Sequence, residues 1–313
     1  MLFRSVFRNL GGCVGTAIGA VACLPLLRLF GALDADGNLI DAASSRGFLL
    51  AACVMGIISL LGCYVHYFTT RERVKPIAPK EEKVGVLESF RMLFGNHTFV
   101  MNTLYVICYG IINLLVMTCL TYYATYVLGS TAAATTIQAA YLGTAVVFSF
   151  LVGPIDRKLG RKNTMLLGGI LYVVGKIWFI FDPSSLGAIY VSAITMGVAV
   201  TITFVMFNTN RNNLADLIEW KKGRRLDGLV ATADNLAAKL GDAAATQLIA
   251  VSLHVTGFDA NLAAQPQAAI GAINAMLGWV PMLFGAALIV VVWFLDIEKE
   301  MKKMDAEKAA AIY

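Results

Sequence analysis

Apolar residues in this chain gather into eight long runs, at 9–30, 47–68, 99–127, 135–153, 164–182, 187–207, 228–255 and 271–295. Runs of about twenty residues match a hydrocarbon core of about 30 Å crossed at 1.5 Å per residue, so each run predicts a membrane-spanning helix. No segment alternates polar and apolar positions as a membrane β-strand does. The pattern therefore predicts an all-α membrane protein with eight transmembrane helices.

The polar stretches between the runs predict orientation. Alternate segments (1–8, 69–98, 154–163, 208–227 and 296–313) hold twenty-one Lys and Arg, and the other set holds Arg46 alone. Positive charge collects on the cytoplasmic side, which puts both termini in the cytoplasm and the chain in the cell inner (plasma) membrane. The net charge of +5 thus reports topology and gives no reason to expect nucleic acid as a partner. Of 313 residues, 58% are apolar and 14% charged, with a mean hydropathy of +0.71, which excludes an ordinary soluble domain. Arg4 and Arg8 before an apolar run and Ala20-Val21-Ala22 also have the form of a signal peptide. That run continues to Phe30 and is rich in glycine, which suits a packed membrane helix better. The six cysteines lie within runs without a CxxC pair, and the three histidines are scattered, so no metal is expected.

The segment 69–98 mixes charges with Pro76 and Pro79, the composition of a solvated linker. Two spans precede it and six follow. Many carriers join two six-helix halves by such a cytoplasmic segment. On that plan residues 1–68 are two spans of an N-terminal bundle, 69–98 a linker, 99–295 a six-helix C-terminal bundle and 296–313 a cytoplasmic tail.

Candidate chemistry lies inside the spans. Asn235, Lys239, Asp242 and Thr246 follow i, i+4, i+7, i+11 spacing and fall within about 60° on a helix. Lys239 lies near the midplane, where an unpaired lysine costs about 2.5–3.5 kcal/mol, so it must face a wet cavity or a carboxylate. Asp242 can supply that partner, and Asp234 lies further around toward the cytoplasmic side. The pair reads either as structural or as part of a substrate and ion path. Asn102, Tyr105, Tyr109 and Asn113 form a second stripe of amides and phenols, which suits a hydroxyl-rich ligand such as a sugar or equally interhelical packing. Tyr122, Tyr123 and Tyr126 read as an interfacial aromatic belt, and Lys176 as a lysine that snorkels to the outer surface. No nucleophile and base, and no ligand set, share a depth in the spans, so an enzyme is not expected.

The turn Gly153-Pro154-Ile155-Asp156-Arg157-Lys158-Leu159-Gly160-Arg161-Lys162 reads either as a topology-setting basic loop or as a gate latch. In the latch, Asp156 meets a helix end while Arg157 and Arg161 make breakable charge pairs. Its residues resemble the loop signature of the major facilitator superfamily, with slightly altered spacing. Residues 213–228, Asn-Leu-Ala-Asp-Leu-Ile-Glu-Trp-Lys-Lys-Gly-Arg-Arg-Leu-Asp-Gly, resemble the cytoplasmic loop between helices ten and eleven of the glycoside-pentoside-hexuronide:cation symporters, the melibiose permease family. Ala215, Asp216, Glu219, Trp220, Lys221, Gly223, Arg225 and Gly228 match, and about three residues holding a second acid are missing. Residues 122–129 resemble the end of the family's helix seven. Lys239-Leu240-Gly241 and Thr256-Gly257-Phe258 resemble helix eleven and its exit.

The resemblance implies the major facilitator fold, with the eight spans corresponding to helices five to twelve of twelve. It implies a monomeric carrier that imports a sugar or glycoside with H+ or Na+ by alternating access, with the lipid bilayer as its other partner and no cofactor beyond the coupling cation. By the same resemblance Arg4 stands for the family's sugar-contacting arginine and Lys239 for the lysine near the sugar and cation sites. Phe207 stands where the melibiose permease has an aromatic. With Tyr105, Tyr109, Asn113, Asn235 and Asp242 these form the expected substrate site. Asp156, Arg157, Arg161, Asp216, Glu219 and Arg225 form the expected gate. The family's coupling carboxylates and main sugar-binding aspartate lie on helices absent from this chain, so a shortened chain is expected. A non-sugar facilitator carrier or exporter and a non-transporting membrane scaffold are the alternatives.

Overall fold

The computed structural model describes residues 11, 12, 15, 19, 25–32, 44–69, 93–223, 227–260, 262 and 264–310. The described residues form helices α1 (Ser44–Thr69), α2 (His97–Tyr126), α3 (Thr131–Leu159), α4 (Arg161–Phe181), α5 (Leu186–Lys222), α6 (Asp227–Val255), α7 (Gln267–Leu277), α8 (Trp279–Phe294) and α9 (Ile297–Ala310). Seven helical stretches among the described residues are long and apolar enough to cross a membrane, with Gln267–Ala310 counted as one. They coincide with every expected span except 9–30, most of which lies outside the described residues.

Contacts divide the chain into two units, residues 12–84 and residues 1–11 with 85–313. In the smaller unit Leu27, Ala32 and Ala51 pack together, while Leu60, Leu61 and Val65 of α1 are exposed. An exposed apolar helix suits a lipid environment, because its apolar side chains face the hydrocarbon while the backbone groups along its length bond within the helix.

In the larger unit polar side chains start the helices. The Asn96 carboxamide accepts from Thr98 N at 3.0 Å, the Ser130 hydroxyl from Ala133 N at 3.3 Å and the Ser185 hydroxyl from Ala188 N at 3.4 Å, each satisfying a donor the helix leaves free. Helix α2 packs on α6, α7 and α8, and α5 packs on α3 and α4, with α2 also against α5. Helix α5 is the most enclosed of the spans. The α2–α6 contact depends on two glycines. A Cβ on Gly241 would lie 2.6 Å from the Ile107 carbonyl oxygen, and one on Gly110 would lie 3.0 Å from that of Ala238. Backbone cannot yield there as a side-chain tip can, so Gly241→Val is expected to lower stability by about 1–3 kcal/mol. Thermal unfolding in detergent micelles checks this.

Three expectations change. The segment 208–227, read as a loop, is helical through Lys222, so α5 continues well past its apolar run. The turn at 154–163 shrinks to Gly160, whose φ of +79° lets the chain turn between α3 and α4, with Pro154 tolerated inside α3. The span 271–295 is broken at Gly278. Pro281, in the first turn of α8, has no N–H to offer the preceding helix. Within the segment read as a cytoplasmic tail, α9 packs on α5 and buries Ile297 and Met304.

Candidate functional site

On α6 the buried positions Val230, Asp234, Ala237, Gly241, Ala245, Ile249 and Leu253 recur every three or four residues, the stripe that packs against a neighbouring helix. Asn235, Lys239 and Thr246 fall on the exposed face, with Asp242 half-buried beside them. Lys239 Nζ lies 2.9 Å from Asp242 Oδ2, and the two side chains are 80% and 33% exposed. The i, i+3 pair expected from spacing is therefore formed, and it stands on an open surface of this unit.

Asp234 is the exception on the packing stripe, a carboxylate with no exposed surface. A buried carboxylate needs an ion partner and hydrogen bonds, and α5 and α2 supply them. Arg211 Nε lies 3.0 Å from Asp234 Oδ2, and Asn102 Nδ2 donates to Oδ1 at 3.3 Å. Arg211 Nη2 donates to Asn235 Oδ1 at 3.2 Å, and its guanidinium carbon lies 4.7 Å from the centroid of the Phe207 ring, within cation–π range. Phe207 stacks on Tyr109 at 6.3 Å and both touch Phe204. Three helices thus close a cluster of two charges, two amides and three rings beside the Lys239–Asp242 pair. Arg211 was assigned by sequence to a cytoplasmic loop. The signal for its true place is the i, i+4 spacing of Phe207 and Arg211 and its continuation into the helical run to Lys222.

The other expected substrate residues are distributed differently. Tyr105 is fully buried and its hydroxyl donates to the Thr203 carbonyl at 3.2 Å, so it joins α2 to α5. Asn113 is half-buried and accepts from the Tyr141 hydroxyl at 3.2 Å. Arg4 and Arg225 lie outside the described residues. Lys176, read as snorkelling, is instead 1% exposed, with its ammonium 5.8 Å from the Phe179 ring centroid. The inner stripe of α4 carries it between helices and away from the surface. Of the expected aromatic belt, Tyr123 is buried with its hydroxyl on the Pro183 carbonyl, while Tyr122 and Tyr126 pack edge-on against Phe258.

At the other end of these helices the tail meets the expected gate. Gly160 offers no side chain to cap α4, and Glu298 of α9 takes that role, accepting from Lys162 N at 3.3 Å. A carboxylate at a helix N-terminus also meets the positive end of its dipole. Lys162 Nζ donates to the Trp293 carbonyl at 2.6 Å, Lys302 lies 2.9 Å from Glu298, and Lys221 lies 2.6 Å from Glu300. Asp156 is half-buried near the end of α3, and its Oδ1 is buried without a hydrogen-bond partner among the described residues. Arg157 and Glu219 are exposed and Asp216 is half-buried. Sequence reasoning missed Glu298 and Glu300, because their partners on α4 and α5 lie far away in sequence and only the docking of α9 brings them together; Lys162 stands in the turn read as a gate latch, where that reading did not name Glu298 as a partner.

Seven helical stretches of membrane-crossing length and composition among the described residues define a multi-pass membrane protein. Residues 1–299 match the MFS/sugar transport protein family, and the chain belongs to that family. It is 28% identical over 312 residues to the isoprimeverose transporter of Lactiplantibacillus pentosus, covering 97% of this chain and 62% of that protein. It is 25% identical to a glucuronide carrier protein homolog of Escherichia coli K12, covering 81% and 55%, and 22% identical to the raffinose carrier protein of Pediococcus pentosaceus, covering 86% and 42%. The chain therefore spans less than two thirds of the length of each of these relatives. Among solved structures it resembles a bacterial homolog of the human lysosomal transporter Spinster, inward-facing and unoccupied. The TM-score is 0.53 and the identity 14%, covering 97% of this chain and 68% of that one. The family match and this likeness in fold together give the chain the major facilitator fold.

Proposed function

We propose that the protein is a secondary carrier that moves a sugar or glycoside by alternating access, coupled to H+ or Na+. The observation that carries this reading is the open polar face of α6, where Lys239 and Asp242 are paired 2.9 Å apart within a membrane-length helix. Ionisable residues at such depth are kept where they line a substrate or ion path. Beside them Asn235, Tyr109 and Arg211 offer the donors and acceptors that sugar hydroxyls require. Family membership and the isoprimeverose and raffinose carriers among its relatives support the substrate class. In this reading residues 1–68 belong to an N-terminal bundle, 69–98 form the linker and 99–295 form the C-terminal bundle. Both termini are cytoplasmic in the inner membrane, and the protein acts as a monomer. Asp156, Arg157, Arg161, Asp216, Glu219 and Arg225 lie on the cytoplasmic side, where charge pairs hold one state and release in the other. Arg4 joins the substrate residues.

Counterflow tests the carrier reading. Proteoliposomes loaded with unlabelled methyl glycosides are expected to take up the same 14C-labelled glycoside transiently above its external concentration. Uptake no faster than in protein-free liposomes contradicts it.

A further inference from the structure

The polar surface of α5 and α6 carries two cations, and each has its own carboxylate, Arg211 with Asp234 at 3.0 Å and Lys239 with Asp242 at 2.9 Å. Asn235 lies one helical turn from Lys239 and binds Arg211 Nη2 at 3.2 Å, so it joins the two pairs. Arg211 is held from three sides. Its Nε is spent on a carboxylate with no exposed surface, Nη2 on Asn235, and the buried Phe207 ring backs the guanidinium. Nη1 donates to no described residue, and it is not among the buried unpartnered atoms, a set that does include Arg161 Nε. With 12% of its side chain exposed, Arg211 presents a fixed pair of N–H donors at the edge of the polar face.

We propose that Arg211 and Asn235 form a subsite for adjacent hydroxyl groups of a neutral glycoside, and that Asp234, the buried counter-ion of Arg211, gives this subsite a charge balance that discriminates against sugars bearing a carboxylate or sulfonate. This deepens the sugar-carrier reading and rests on it. The Nη1 amino group, its two N–H donors fixed in the guanidinium plane, can meet two neighbouring hydroxyl oxygens, a geometry an ammonium does not reproduce. The Asn235 carboxamide can donate to one hydroxyl and accept from another. An acidic sugar meets no uncompensated cation here. It must bring its charge beside Asp234 and Asp242, and such like-charge contact is how a site rejects a wrong ligand.

The test is calorimetric titration of the purified protein with matched pairs, methyl glucoside against methyl glucuronide and methyl galactoside against methyl galacturonide. A neutral member is expected to bind about tenfold or more tightly than its uronide. Arg211→Lys, which keeps the charge on Asp234, is expected to weaken that binding about tenfold. Asp234→Asn, which leaves the guanidinium uncompensated, is expected to strengthen uronide binding about tenfold, a gain that misfolding cannot produce. A uronide that binds wild type as tightly as its neutral partner, or Arg211→Lys without effect on neutral binding, overturns the subsite while leaving the carrier reading standing. Binding of no glycoside of either kind overturns both.

Discussion

Arg211→Leu is expected to destabilise the protein by about 3–5 kcal/mol, the cost of leaving a buried ion without its partner. Asp234 has no exposed surface, and with Arg211 gone it keeps only the Asn102 amide, at 3.3 Å. Water cannot replace a guanidinium at that position, because Asp234 lies on the stripe that packs α6 into the bundle. The double variant Arg211→Leu with Asp234→Leu separates charge from shape. Replacing a buried ion pair by apolar residues of similar size is often neutral or stabilising, so the second substitution should recover most of the loss. Urea unfolding in detergent micelles measures all three proteins. If the double variant is no more stable than Arg211→Leu, the loss comes from packing against Phe207 and not from the stranded carboxylate.

Lys239→Ala is expected to have the largest effect on transport and little effect on folding. The Lys239 side chain is 80% exposed and its only described ion pair is to Asp242, and pairs of this kind contribute about 1 kcal/mol or less. Glycoside uptake, in contrast, should fall by about tenfold or more, because the pair lies on the face through which substrate and ion occupancy would be linked. Lys239→Arg, which keeps the charge but changes its shape, is expected to fall between the two. Initial rates of 14C-glycoside uptake, normalised to protein in the membrane, give the comparison. Unchanged uptake in Lys239→Ala removes Lys239 from the transport path.

The spans from 47 onward were legible because a membrane-crossing helix needs an apolar run of fixed length, and the sequence shows those runs directly. The Lys239–Asp242 pair was legible for a related reason, since i, i+3 residues on one helix meet whatever surrounds them. What the sequence did not disclose depends on neighbouring helices. Arg211 and its amide-rich flank Asn208, Asn210 and Asn213 look like a polar loop, yet all three asparagines are buried in α5. Polarity marks a loop only when the segment ends in water, and here it ends against other helices. Lys176 failed in the same way, because distance from the span end suggested a route to the surface that the inner face of α4 does not offer. Tyr123 and the docked α9 are further cases in which the partner, not the residue, decides exposure.

Accumulation under an imposed cation gradient tests the central claim most directly. Proteoliposomes containing the protein receive 14C-glycoside with an inward proton gradient, an inward sodium gradient or neither. The account predicts that one gradient drives sugar above its external concentration and that collapsing that gradient with an ionophore abolishes the accumulation. Sugar that never exceeds its external concentration under either gradient contradicts a cation-coupled carrier.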